Sequence, residues 1–83
     1  MKSVRRMRIE LIRPMVRGLW PMEPELVTAY RRMLREGKKP PPVKLGHRLA
    51  GGRWQLVDGR HRLKAAKLEG AKTIKVRHLI IYG

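Results

Sequence analysis

Leu26, Val27, Tyr30, Met33 and Leu34 recur at the three-to-four spacing of one helical face, behind Pro24 and Glu25 and ahead of Gly37. Proline suits a first helical turn and glycine a helix end, so the stretch predicts an amphipathic helix. Before it, Ile9-Glu10-Leu11-Ile12 alternates well enough for a short edge strand that Arg13-Pro14 closes. Met15 to Pro21 is too punctuated by glycine and proline to be regular and reads as a loop. After the helix, Lys38-Lys39-Pro40-Pro41-Pro42 is a stiff connector, and Val43 to Leu49 reads as a strand. Ala50-Gly51-Gly52-Arg53 then turns the chain back into Trp54 to Val57, a hairpin signal. Leu63, Ala65, Ala66, Lys67 and Leu68 predict a second helix running to Gly70, and Thr73 to Ile81 a closing strand.

Charge changes the picture most. Twenty-one Lys and Arg face six Asp and Glu, a formal +15, which favours a polyanionic partner. A membrane surface is the rival, but the cations are spread over strands, loops and helices rather than along one amphipathic helix, so nucleic acid or a nucleotide is the better fit. A compositional bias toward arginine is a further origin for the charge. DNA is the preferred polymer, with Arg5, Arg6, Arg8, Lys38, Lys39, Arg48 and Lys64 as candidate contacts. No helix-turn-helix pair is evident, so weak sequence selectivity and steep salt dependence are expected. Eighty-three residues predict one domain over 1–83, burying about 60–65% of the surface of the unfolded chain. There is no phenylalanine, so aliphatic side chains must fill the core, with Trp20, Trp54, Tyr30 and Tyr82 as aromatic anchors. The absence of cysteine and of any long apolar run leads to an expected cytoplasmic location without membrane contact.

The richest chemistry lies where the second hairpin strand gives way to the second helix, at Asp58-Gly59-Arg60-His61-Arg62. Asp58 is placed as the N-cap and Gly59 as the turn, leaving three nitrogen-rich side chains in the first helical turn. Cations oppose the positive end of a helix dipole unless an anion binds there, so all five residues are candidate nucleotide-phosphate contacts. The plainer alternative makes Asp58 only a cap, Gly59 only a turn residue and His61 a surface imidazole.

The run LVDGRHRLKAAKLEGAKTIKVR, Leu56 to Arg77, resembles the core motif of the ParB N-terminal/sulfiredoxin-like superfamily. In that family a strand, a glycine-containing turn with His-Arg or Arg-Arg, a helix and a further strand follow one another. Pro41-Pro42-Val43-Lys44-Leu45 is similar to the proline-led strand that precedes the motif. The resemblance implies an α+β fold, a small mixed sheet with two main helices. It also implies nucleotide phosphate at Gly59, His61 and Arg62, with ATP or CTP and Mg²⁺ as the implied cofactors. In sulfiredoxins the position of Arg60 is the catalytic cysteine, and in CTP-hydrolysing partition proteins it is commonly a glutamate. Neither stands here, so reduction by a thiol of this chain is excluded and the resemblance carries binding further than catalysis.

Two other classes remain open. A nucleotide-dependent enzyme of the same fold (a hydrolase, kinase or nuclease) would have Asp58 and His61 as its acid and base candidates. A small adaptor or inhibitor would use the apolar C-terminal segment Leu79-Ile80-Ile81-Tyr82, which is also the candidate homodimer contact. The three histidines lack metal-ligand spacing, and no metal site is expected.

Overall fold

The apolar positions of the hairpin and of the closing strand assemble around one core. The computed structural model describes residues 4–14 and 22–78. Strand β1 (Val4–Arg8) passes through a 3-10 turn at Ile9–Leu11 into the two-residue strand β2 (Ile12–Arg13). Helix α1 (Pro24–Arg35), the hairpin β3 (Val43–Arg48) and β4 (Trp54–Asp58), helix α2 (Arg60–Leu68) and β5 (Thr73–His78) follow. Among the described residues the sheet has five strands in the order β1-β5-β3-β4-β2. β1 with β5 and β3 with β4 are antiparallel, while β3 with β5 and β2 with β4 are parallel. The result is a mixed α+β architecture with two helices, as the sequence predicts.

Register explains which residues are buried. Met7 lies opposite Ile74, Val43 opposite Val76 and Leu45 opposite Leu56, and Val43, Leu45 and Val76 are wholly buried. Leu63 and Ala66 from α2 join this cluster, together with Ile9 and Ile12. Cross-strand partners share a face and alternate residues do too. The opposite face therefore carries Arg6 with its partner Lys75, and Arg77 with its partner Lys44.

The edge strand expected at Ile9–Ile12 is corrected by this geometry. The basic lead-in before it is the strand, and Ile9–Leu11 winds into a single turn whose Ile9 amide donates to the Lys72 carbonyl at 2.9 Å. Ile9 buries its side chain there without belonging to a ladder. The expected loop at Met15–Pro21, the anchors Trp20 and Tyr82, and Leu79–Tyr82 with their proposed homodimer contact lie outside the described residues. Among the described residues no helix is long and apolar enough to cross a membrane.

Both helices end with the same pair of backbone bonds. In α1 the amides of Gly37 and Lys38 return to the carbonyls of Leu34 and Met33, and in α2 those of Gly70 and Ala71 return to Lys67 and Ala66. One acid then joins the two helices. Glu69, at the end of α2, accepts from Arg31 Nε at 2.6 Å and from Arg35 Nε at 2.9 Å. Hydrogen bonds from Arg35 and then Arg31 hold its carboxyl below the usual range despite partial burial. Because the folded-state value is depressed, the stabilisation is present above the ordinary carboxylate pKa and is lost as pH falls through the lowered value. Thermal melts of wild type and Glu69→Gln should therefore differ at pH 7 and converge in acid; a constant difference down to pH 2 would contradict the linkage.

His78, opposite Leu45 at the end of β5, is a second group with a depressed pKa. Its ring meets Trp54 edge-on at 4.5 Å between centroids, and its Nε2 accepts from Arg5 Nε at 3.0 Å. Burial, and secondarily the charge of Arg5, push its pKa down.

Candidate functional site

The strand-to-helix junction is made by one glycine. Asp58 is the last residue of β4 and α2 begins at Arg60, so the N-cap is Gly59, at φ 108° and ψ 26°. Asp58 is thus not the cap that the sequence suggests. No side chain caps this helix; the Gly59 carbonyl receives the Leu63 amide at 2.9 Å, which opens the intrahelical ladder. The amides of Arg60, His61 and Arg62 precede that ladder, as the first amides of any helix must. Gly59 is buried, and a Cβ on it would stand 2.7 Å from Cγ1 of Val43. The backbone therefore lies directly on the central strand, which fixes the direction in which α2 starts.

A cleft of about 240 Å³ opens over this turn. Leu26 and Tyr30 of α1 form one wall, and Val57 with residues 58–62 forms the other. The first turn of α2 contains no acid. The five residues Asp58, Gly59, Arg60, His61 and Arg62 that the sequence singles out are therefore brought together along one cavity.

Their side chains are not equivalent. Arg62 is turned inward, with its side chain 13% exposed. Its Nη1 donates to the carbonyls of Pro41 at 3.0 Å and Pro42 at 2.7 Å, and its Nη2 lies 3.3 Å from Asp58 Oδ2. This guanidinium braces the turn against the proline connector, and it draws Asp58 into an i,i+4 ion pair. His61 Nε2 accepts the backbone amide of Glu23 at 3.1 Å, so the imidazole carries its proton on Nδ1 in this arrangement. It serves an otherwise unladdered amide at the start of α1 and so ties the two helix N-termini together. Arg60 lies half-buried in the cleft wall.

Asp58 is the one carboxylate on the cleft. Its pairing with Arg62 leaves it poorly placed to hold a metal ion, and among the described residues no three His, Asp or Glu side chains converge. Early helix amides and cationic side chains beside a cleft are what a phosphate needs, while the space left by the missing Gly59 side chain is taken by Val43.

The seven candidate nucleic-acid contacts separate in space. Arg6, Lys38 and Lys39 line one hollow, of about 190 Å³, between the C-terminal end of α1 and the β1–β5 edge. Arg5 is bonded to His78, and Arg8 pairs with Glu10 at 3.3 Å. Arg48 lies at the end of β3 opposite Trp54, and Lys64 is exposed on α2; neither lines that hollow or the cleft. Lys44, Lys75 and Arg77, which the sequence did not single out, also line hollows, and Leu26 and Tyr30 wall the cleft. Alternation along Thr73–His78 was a signal for Lys75 and Arg77; the others depend on tertiary placement.

No protein-family model matches this sequence, and no curated protein matches it. Solved structures do resemble its backbone. Sulfiredoxin from Arabidopsis thaliana superposes with a TM-score of 0.77 at 18% identity, over 92% of this chain and 83% of that one. The C-terminally truncated chromosome-partitioning protein ParB from Caulobacter crescentus, complexed with CTP-gamma-S, gives 0.78 at 21% identity over 95% of this chain and 45% of that one. A free serine kinase in complex with AMP gives 0.77 at 16% identity over 94% and 31%. The chain thus spans most of the sulfiredoxin but less than half of the other two, both of which hold a nucleotide. These likenesses, together with the strand order and the β4–α2 junction, make this a ParB/sulfiredoxin-like fold.

Proposed function

We propose that the protein is a nucleotide-binding module whose phosphate socket is the first turn of α2, set on a cationic body that contacts DNA. The observation that carries this is the uncapped, acid-free start of α2, opened by a left-handed glycine onto the cleft walled by Leu26 and Tyr30. Phosphate oxygens accept from the early amides and from Arg60 and His61, while Arg62 and Asp58 act through each other to keep the turn in shape. Tyr30 and Leu26 offer the apolar wall that a nucleoside needs. The nucleotide complexes of the ParB and serine kinase structures support the same class of ligand. ATP and CTP are the probes of choice. When bound, a triphosphate would bring its own Mg²⁺ through phosphate oxygens; Asp58, the one carboxylate lining the cleft, is paired with Arg62.

Binding is favoured over turnover. The acid best placed to act as a base, Asp58, is committed to Arg62, and the residue at the family's catalytic position is Arg60. DNA contact rests on the net charge of +15, and its affinity is expected to fall steeply with salt. Calorimetric titration of CTP and ATP into wild type and Arg60→Ala tests the socket. One lost charge-assisted bond to phosphate, about 1.5–3 kcal/mol, corresponds to a loss of roughly ten- to a hundredfold in affinity. Equal affinity for the two proteins would remove Arg60 from the site, and no binding to wild type would remove the function.

A further inference from the structure

The phosphate cleft shares lining residues with two other hollows. A second hollow of about 300 Å³ adjoins it and shares Tyr30, Asp58 and Arg62 with it. The hollow at the β1–β5 edge adjoins this one in turn, sharing Pro41 and Arg62. Arg62 lines all three, so the hollows meet around its side chain rather than lying scattered. The charge along them is of one sign. Lys44 and Arg77, cross-strand partners on β3 and β5, line the middle hollow. Lys38, Lys39 and the partners Arg6 and Lys75 line the far one. Asp58 is the one acid among all the lining residues, and it is already paired.

From this we infer that the hollows together form a track for single-stranded nucleic acid, entered at the α2 turn and running past Lys44 and Arg77 to the cations at the β1–β5 edge. The inference rests on the α2 turn being a phosphate socket, which seats one terminal or internal phosphate. Three physical points favour a single strand over a duplex. The cations border the hollows from strands and from the connector after α1, not from a protruding helix that could enter a groove. Tyr30 stands between the first two hollows, where an unstacked base can lie against its ring. The recesses are also floored by apolar atoms of Leu34, Ala66 and Ile74 at the far end, suited to base faces but not to a wall of duplex phosphates.

The test is fluorescence anisotropy with a labelled fifteen-nucleotide oligo-dT and a mixed-sequence duplex of equal length, over a series of salt concentrations. Lys44→Gln/Arg77→Gln changes two exposed side chains of the middle hollow. Lys67→Gln removes an exposed charge outside all three hollows and is the control. The single strand is expected to bind more tightly than the duplex. The double variant should weaken it on the order of tenfold and flatten the log-log salt slope by about 1.4, because each neutralised single-strand phosphate contributes about 0.7. Lys67→Gln should do neither, and melting temperatures confirm that the variants are folded. A duplex bound as tightly as the strand, or a loss from Lys67→Gln equal per charge to that of the double variant, would overturn the track. Mononucleotide titration of the same proteins separates the two ideas: ATP and CTP failing to bind wild type would sink the socket, whereas unaltered nucleotide binding with no effect on oligonucleotide would sink only the track.

Discussion

Gly59→Ala should melt at least about 8 °C below wild type and lose nucleotide binding with it. Two strains add. At φ 108° an L side chain carries a left-handed penalty of about 1–2 kcal/mol. The new methyl would also stand 2.7 Å from Val43 Cγ1 and 2.9 Å from its Cβ, within a central strand that cannot withdraw. Overpacking of this kind costs about 1–3 kcal/mol. In a domain of this size each kcal/mol lowers the melting temperature by roughly 4–8 °C. Gly51→Ala is the matched control, since Gly51 also has positive φ but nothing lies within 4 Å of its Cβ position. Its loss should be about half as large or less. Equal losses at the two positions would mean that the close approach to Val43 contributes nothing.

Arg62→Ala should destabilise the fold by about 2–4 kcal/mol, measured by urea denaturation at pH 7. Pro41 and Pro42 have no amide hydrogen, so their segment cannot be held by its own donors. The Arg62 guanidinium holds it instead, through two carbonyls, and a hydrogen bond to a charged group contributes about 1.5–3 kcal/mol. Lysine should not rescue the variant. A compact ammonium cannot span two carbonyls and a carboxylate as the planar fork does. Full recovery in Arg62→Lys, or a change below about 0.5 kcal/mol in the alanine variant, would show that the brace is incidental. The result also bears on function, because Arg62 would then be free to serve phosphate directly.

The helices and the hairpin were legible because their signals are local. Apolar spacing, Pro24 and the helix-ending Gly37 and Gly70 each act within a few residues. Strand β1 was not legible, since three of its five residues are arginine and its place in the sheet comes from pairing with β5, some seventy residues away. Ile9–Leu11 was misread for the converse reason: an apolar run looks like a strand whether it joins a ladder or only buries Ile9 at a turn. At the site, the clustering of residues 58–62 was visible and their division of labour was not. The link from Arg62 to the proline carbonyls, the link from Glu23 to His61 and the joining of Arg31 and Arg35 by Glu69 all span twenty or more residues. An Asp-Gly pair equally permits Asp58 or Gly59 as the cap, and contact with Val43 decides it.

The most direct measurement is a ¹⁵N–¹H titration of the backbone with inorganic pyrophosphate and then with CTP. Pyrophosphate has no base to stack and no chain to follow, so it probes the socket alone. The amides of Gly59, Arg60, His61 and Arg62 should move first and furthest, with Tyr30 and Leu26 responding only once a nucleoside is attached. Shifts spread evenly over the cationic surface, with the α2 turn unmoved at saturation, would contradict the socket.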